Sequence, residues 1–243
     1  MNLVYLRSEL VRLVRNRRFL VFSFGFPLLL FFLIATPNRN EHDLGGTGLS
    51  APLYFMVGLA AFGTMTSMLA GGARIAGERS IGWNRQLRLT PLPPRTYFRV
   101  KVLTAYATAL ASMLLLDLSG VALGVRLAPG EWARMTGLLL VGLVPFAALG
   151  IVIGHLASVE SVGPIMGGST ALFAFLGGTW FPLGDGALHD IGEGLPSYWL
   201  VQASHVALGG TAWSLTGWLV VAAWTVAAAA VARWAYRRDT AKY

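Results

Sequence analysis

Six stretches of the chain are apolar for about the length needed to cross a bilayer. They lie at 19–36, 51–72, 102–125, 134–154, 162–181 and 213–235. A transmembrane helix needs about 20 mostly apolar residues to cross a hydrocarbon core of about 30 Å. Several stretches are apolar on every face, and none shows the two-residue alternation of barrel strands. The pattern therefore predicts an all-α polytopic membrane protein with six spans, forming one transmembrane domain over residues 1–243.

An amphipathic pattern precedes the first apolar stretch. Within 1–18, Leu6, Leu10 and Leu13 fall on one helical face, whereas Arg15 lies off it. This predicts an interfacial helix with its arginines toward lipid phosphates, and an anchoring helix without further function is the alternative. A signal peptide is disfavoured because the apolar run is long and no small-residue cleavage pattern clearly follows it.

Charge gives the predicted spans an orientation. Only 12% of residues are charged, yet the net charge is +8, which could indicate binding to nucleic acid. With the N-terminus in the cytoplasm, however, sixteen of the nineteen Lys and Arg residues fall within 7–18, 74–101 and 233–242, all on the cytoplasmic side. This is the bias expected of membrane proteins. We therefore expect a multi-pass protein of the plasma membrane with both termini in the cytoplasm.

A basic, proline-containing loop separates the second and third predicted spans. Residues 74–101 hold seven basic residues and three prolines within four positions. Proline disfavours a helical conformation in the residue before it, so a short helix at about 82–89 is expected to end before Thr90 and Pro91. A rigid basic projection suits the transmission of force from a soluble motor. A solvated loop that binds anionic lipid is the alternative.

The outer stretch 182–212 has no Lys or Arg and is too interrupted by glycine and proline to span the membrane. It predicts two short helices, at about 187–192 and 197–208, hinged at the sequence GEGLP. Non-helical backbone at membrane depth must be buried in protein or line a wet cavity. We expect a re-entrant helical hairpin, with an exposed loop as the alternative. Aromatic side chains typical of the membrane interface accompany it: Trp180, Phe181, Tyr198 and Trp199.

Motifs for catalysis are missing from the sequence. The chain has no G-x-x-x-x-G-K-[ST], no H-E-x-x-H, no G-x-S-x-G and no cysteine. No metal-binding spacing involves His189 or His205. Asp117 is the one charge well inside a predicted span, where carboxylates are costly. It is expected either to attract a cationic substrate or to hydrogen-bond to a neighbouring helix.

The order of residues in the basic loop resembles a known family. Glu78-Arg79, Gly82, Leu87, Thr90-Pro91-Leu92 and Lys101 are similar to the intracellular loop of type-2 ATP-binding-cassette (ABC) transporter permeases. The runs GGTWFPLGD and LPSYWLVQASHVALGG resemble the segment between the last two spans of that family. The chain departs from the family pattern at Ser80 and Trp83-Asn84, which bears on the fit to a particular partner.

The resemblance implies a permease subunit that binds no cofactor itself. ATP and magnesium would bind in a separate cytoplasmic ABC ATPase, present in two copies, and a second permease, identical or different, would complete the transporter. The loop would be the ATPase-coupling element, and the outer segment part of the substrate pathway. The implied coupling residues are Glu78, Arg79, Gly82, Trp83, Gln86, Leu87, Thr90, Pro91 and Leu92. The expected pathway residues are Asp117, Trp180, Phe181, Tyr198 and Trp199.

Members of the family export drugs, antibiotics, lipids and polysaccharides. Short outer loops and apolar spans favour a hydrophobic small molecule, as in multidrug exporters of bacteria, over a lipid-linked polysaccharide. An ion-coupled transporter or channel without an ATPase is the alternative from another class. A membrane enzyme or assembly factor is a third, although the sequence offers no catalytic constellation for it.

Overall fold

The computed structural model describes residues 3–83, 86, 89, 94–209 and 211–240, and within this part of the chain there are helices but no strands. The all-α prediction is confirmed. The helices are α1 Leu3–Arg15, α2 Arg17–Leu20, α3 Phe26–Ala35, α4 Ala51–Ser80, α5 Pro94–Ala122, α6 Pro129–Gly142, α7 Val144–Leu156, α8 Val159–Leu176, α9 Ala187–Glu193, α10 Pro196–Gln202 and α11 Leu215–Thr240.

Five helical segments are long and apolar enough to cross a membrane: α4, α5, α6 together with α7, α8, and α11. The first predicted span is divided instead. A π-helical segment, Val21–Gly25, joins α2 to α3, and the apolar helix Ser23–Ala35 is shorter than the others. The multi-pass architecture is thus supported, whereas the sixth span stays a prediction.

Several helices differ from the predicted bounds for local reasons. The predicted span 134–154 is two helices that meet at Leu143, because Pro145 has no N–H to continue the first one. Helix α8 ends at Leu176, before Gly178, whose φ of +71° favours glycine. Helix α4 continues past residue 72 to Ser80, since its charged last turns find partners inside the protein.

Helix α4 is the central element of the bundle. In its most apolar window 89% of the residues are buried, against 17–39% in the other four candidate spans. It packs against α3, α5, α7 and α8. Glycines allow the closest of these contacts. A methyl group on Gly150 of α7 would lie 2.6 Å from the carbonyl oxygen of Met68, and one on Gly154 would lie 2.8 Å from that of Gly72. The backbones of α4 and α7 therefore touch directly.

The two ends of the bundle are held together by different kinds of contact. At one, here called the base, α1 meets the end of α4 and the start of α5 through Glu9, Glu78 and Lys101. At the opposite end, Gly45 lies against Pro182, and the Tyr54 hydroxyl donates to the carbonyl of Gly178. Residues 17–35 therefore connect the base to the opposite end, as a first span would.

The outer stretch 182–212 packs into the end opposite the base. It contains α9, α10 and a 3₁₀ helix, Ala203–Leu208. Trp199 is buried, and its indole N–H donates to the carbonyl of Glu193 at 2.9 Å. Trp213 Nε1–H donates to the carbonyl of Trp199 at 2.6 Å, and Gly217 leaves room for the Trp199 ring. These bonds satisfy backbone groups where α9 and α10 break.

The close contact of α4 with α7 gives a direct test. We expect Gly150→Ala to lower the free energy of unfolding by about 1–3 kcal/mol, because the rigid backbone at Met68 cannot move away from a new methyl group. The matched control is Gly137→Ala in α6, where a methyl group would meet nothing within 4 Å. Thermal unfolding in detergent measures both, and equal melting temperatures would contradict the contact.

Candidate functional site

The root of the basic loop is the last turn of α4. Helix α4 ends at Ser80, and Gly82 follows with a φ of +72°, the left-handed conformation that commonly terminates helices. Beyond it, Trp83 and Gln86 have helical backbone, and the Gln86 N–H donates to the carbonyl of Gly82 at 3.3 Å. Of the predicted coupling helix the structure therefore describes these positions and Leu89. Residues 84–85, 87–88 and 90–93 lie outside the described part.

Four buried polar side chains form the first group at the loop root, here called the base cluster: Glu9, Glu78, Tyr97 and Lys101. The Lys101 ammonium donates to Glu78 and lies 2.8 Å from Glu9 Oε2. The Tyr97 hydroxyl donates to Glu78 Oε2 at 2.6 Å. Glu9 and Lys101 are each only 2% exposed. One amine from α5 thus joins a carboxylate of α1 to one of α4.

Two buried cations face the two carboxylates of the base cluster. Besides Lys101, Glu9 and Glu78 attract the guanidinium of Arg74, one turn earlier on α4. Burial and the neighbouring Glu9 raise the pKa of Tyr5 on α1 above its usual value, so this phenol remains neutral. Buried ion pairs contribute little net stability but are costly to break, because one uncompensated charge is then left inside.

Helix α1 also touches the loop itself. The guanidinium of Arg12 lies 5.5 Å from the centre of the Trp83 ring, within the range of a cation–π contact. Arg12 NH1 lies 3.5 Å from Glu9 Oε1. Helix α1 therefore contacts the loop at Trp83 and the start of α5 at Lys101.

A second group at the loop root, here called the terminal cluster, consists of Arg79, His155 and Asp239. Arg79 NH2 donates to Asp239 Oδ1 at 2.8 Å, and His155 Nδ1 lies 3.1 Å from Asp239 Oδ2. Arg79 NH1 donates to the carbonyl of Gly154 at 2.9 Å, near the end of α7. Helix ends leave such carbonyls without intrahelical partners, and a cation satisfies both their hydrogen bonding and their partial negative charge.

The structure places the expected coupling residues in two environments. Glu78 and Arg79 point into the protein and bind partners of the same chain, whereas Gln86 is exposed. Trp83 and Gly82 are half-buried at the start of the loop. Leu87, Thr90, Pro91 and Leu92 lie outside the described residues, so their role stays a prediction.

Sequence reasoning assigned no partners to Lys101 and Arg79. Glu9 and Asp239, which bind them, were not paired with them because their segments were interpreted through apolar and basic residues. A signal did exist, because Glu9 is the one acid before Glu41 and Asp239 the one acid after Glu193. Acids contribute little to topology, so a single acid within a basic segment is better explained by a specific partner.

The expected pathway residues are not brought into one group by ring contacts. Tyr198 contacts Trp199 and His189, whereas Trp180 contacts Phe62 and Phe181 contacts Phe175. Asp117 is buried on α5, and its Oδ1 accepts no hydrogen bond from any residue that the structure describes. Within the same residues, no three His, Asp or Glu side chains could hold a metal ion together.

The sequence of the chain matches a known family. The profile of the family described as ABC-2 family transporter protein matches residues 38–234. The chain belongs to the ABC-2 transporter family. A relative in Bacillus subtilis (strain 168), YvfS, named as a transport permease, is 31% identical over 197 residues, which cover 79% of this chain and 78% of the relative. An ABC-2 chain of this kind is the membrane subunit of an ABC transporter, and its family implies association with an ABC ATPase.

The base cluster can be tested by its stability. We expect Lys101→Met to lower the free energy of unfolding by about 3–5 kcal/mol, because two carboxylates then remain buried with one cation fewer. The triple variant that also carries Glu9→Gln and Glu78→Gln should recover part of the loss. Thermal unfolding in detergent compares the melting temperatures of the wild type, Lys101→Met and the triple variant. A wild-type melting temperature for Lys101→Met alone would contradict the assignment.

Proposed function

We propose that this chain is the permease subunit of an ATP-driven exporter that moves a hydrophobic small molecule, such as a drug, antibiotic or lipid, out of the cell. A separate cytoplasmic ABC ATPase, in two copies, would bind ATP and magnesium. The observation that carries the proposal is the basic loop of an ABC-2 chain held at its root by two ion-paired clusters. A loop fixed in this way can transmit force from a soluble partner.

The loop offers apolar side chains to such a partner. Ile81 is 75% exposed and Leu89 is 89% exposed, although the surrounding segment is basic. Exposed aliphatic residues beside arginines suit a protein surface with an apolar cleft and acidic edges. With Gln86 and Trp83 they form the described part of the proposed docking surface. Leu87, Thr90, Pro91 and Leu92 would complete it, while Glu78 and Arg79 hold it in place.

Removing the apolar character of the loop should release the ATPase. In membranes from the native host, we expect Leu89→Glu and Ile81→Glu to reduce co-purification of an ABC ATPase at least about tenfold, because each buries a charge in the interface. The control is Ile191→Glu on α9, an exposed isoleucine of the opposite end. The ATPase is identified by mass spectrometry. Equal recovery with all three variants would contradict the docking surface.

The substrate pathway is proposed to run to the outer stretch 182–212. A re-entrant hairpin is supported by the burial of Trp199 and by the side-chain bonds that satisfy the backbone between α9 and α10. Tyr198, Trp199, Trp180 and Phe181 would line or support its exit. Among the described residues, the one buried carboxylate away from the base is Asp117, so few charges meet a substrate. This favours a hydrophobic substrate over a lipid-linked polysaccharide.

A second permease copy is proposed to pack on α8. This helix is the least buried of the five candidate spans. Gly163 and Gly167 lie one turn apart on it, and methyl groups at either position would meet nothing within 4 Å in the same chain. Small residues at this spacing allow two membrane helices to approach closely.

The absence of cysteine from the chain makes a crosslinking test simple. We expect Gly167→Cys to form covalent dimers in native membranes with a short bifunctional thiol reagent, because paired α8 helices would bring the two thiols together. Gly137→Cys, equally open but on α6, is the control and should stay monomeric. Absence of dimers for Gly167→Cys, or equal yields for both, would contradict pairing through α8.

A transporter that works without an ATPase, driven by ions, remains the alternative function. It would need intramembrane ionisable groups, and Asp117 is the residue that favours it. Transport by the chain alone in liposomes would distinguish it from the exporter.

A further inference from the structure

The terminal cluster contains one acid, although the positive-inside bias favours only basic residues in the segment that holds it. Asp239 is the single acid after Glu193, and it follows Arg237 and Arg238 at the end of α11. Basic residues at this position favour a cytoplasmic location, and an acid does not add to that effect. Its side chain is only 13% exposed. The position is therefore explained by its partners.

Asp239 uses both carboxylate oxygens on different helices. Oδ1 accepts from Arg79 on α4 at 2.8 Å, and Oδ2 lies 3.1 Å from Nδ1 of His155 on α7. Arg79 would keep its bond to the carbonyl of Gly154 without Asp239. The carboxylate therefore bonds α11 directly to the loop root, in addition to the packing of α11 on α7.

The far end of the loop is held by the same turns of α11. Phe98, in the first turns of α5 after the loop, packs edge-on against Tyr236 with ring centres 5.0 Å apart. The ring centre of Phe98 also lies 5.9 Å from that of His155, and the ring centre of His155 lies 5.5 Å from that of Tyr236. The residues that precede and follow the loop thus both rest on α11 near Asp239.

We infer that Asp239 is a positioning residue that transmits displacement of the loop between α4 and α5 to α11. Helices α4 and α5 continue directly from the loop and move with it by chain connectivity. Helix α11 is distant in sequence and is tied to the loop root by Asp239 with Arg79 and by Tyr236 with Phe98. This inference rests on the proposed coupling function. It adds that one carboxylate, Asp239, is a specific link in the path by which force from the ATPase reaches the last helix.

The first arm of the test needs no ATPase. Spin labels on Gln86→Cys and Arg233→Cys, both exposed positions, report the distance between the loop and α11 in the purified chain. Dilution with unlabelled chain removes the signal between spin labels on different copies of the chain. We expect a narrow distance distribution in the parent protein and in the control Asp190→Asn, an exposed acid at the opposite end. Asp239→Asn should broaden it, and an unchanged narrow distribution would overturn the inference.

The second arm measures transport and ATP hydrolysis together in liposomes containing the ATPase. Asp239→Asn should retain ATP hydrolysis but lower the substrate moved per ATP at least about fivefold, the lower end of coupling between sites. Asp239→Glu keeps the charge and should restore most of the ratio, which a purely structural role would not require. An unchanged ratio for Asp239→Asn, or equal loss in Asp239→Glu, would overturn the inference.

Two further outcomes are distinguished: a variant that does not fold, and a chain that binds no ATPase. If Asp239→Asn does not fold, Arg79→Lys keeps the ion pair's charge but loses the two-pronged guanidinium. Arg79→Lys should then broaden the distribution of distances between the two labels and lower the substrate moved per ATP. Values equal to those of the parent protein would overturn the inference. If the unsubstituted chain binds no ATPase, the proposed function fails, while the distance measurement still decides whether Asp239 fixes α11 to the loop.

Discussion

The structure depends on the pairing of buried charges at the base of the bundle. Lys101 holds a carboxylate of α1 and one of α4, and the half-buried Asp239 pairs with Arg79 and lies within hydrogen-bond distance of His155. An ion removed from water must find an opposite charge and hydrogen bonds, or the fold loses several kcal/mol. Because each partner comes from a different helix, these pairings select one arrangement of α1, α4, α5, α7 and α11. The loop is thereby presented from a fixed root.

Close backbone contact gives the same rigidity to the helix that carries the loop. Gly150 and Gly154 let α7 touch the backbone of α4, and α4 is buried along most of its length. Packed helices without space between them shift as units rather than deform. A displacement at Ser80 would therefore move the centre of the bundle and not only the surface turn that receives the force.

Hydropathy predicted much of the fold because the membrane imposes length and apolarity on every span. The stretches at 51–72, 102–125 and 213–235 lie within α4, largely within α5 and within the region of α11. Hydropathy did not predict the π-helical segment Val21–Gly25, which depends on local backbone geometry. The break near Pro145 could have been predicted, because a proline interrupts an apolar run there.

The candidate site was harder to predict than the spans. The motif Glu78-Arg79 drew attention to the end of α4, but a linear motif does not show which way a side chain points. Lys101 and Glu9 are 92 residues apart, and Arg79 and Asp239 are 160 apart. Such pairings follow from tertiary packing and leave only a faint trace in sequence, a lone acid among basic residues.

The central claim is that a rigid, ion-paired root presents a loop that an ATPase engages. Hydrogen–deuterium exchange followed by mass spectrometry tests it on the chain alone and with its ATPase. We expect amides of 74–82 to exchange slowly in both states, because buried pairs oppose local opening. Amides of 83–93 should become protected only with the ATPase. Rapid exchange throughout 74–93 in the chain alone, with no protection by the ATPase, would contradict the account.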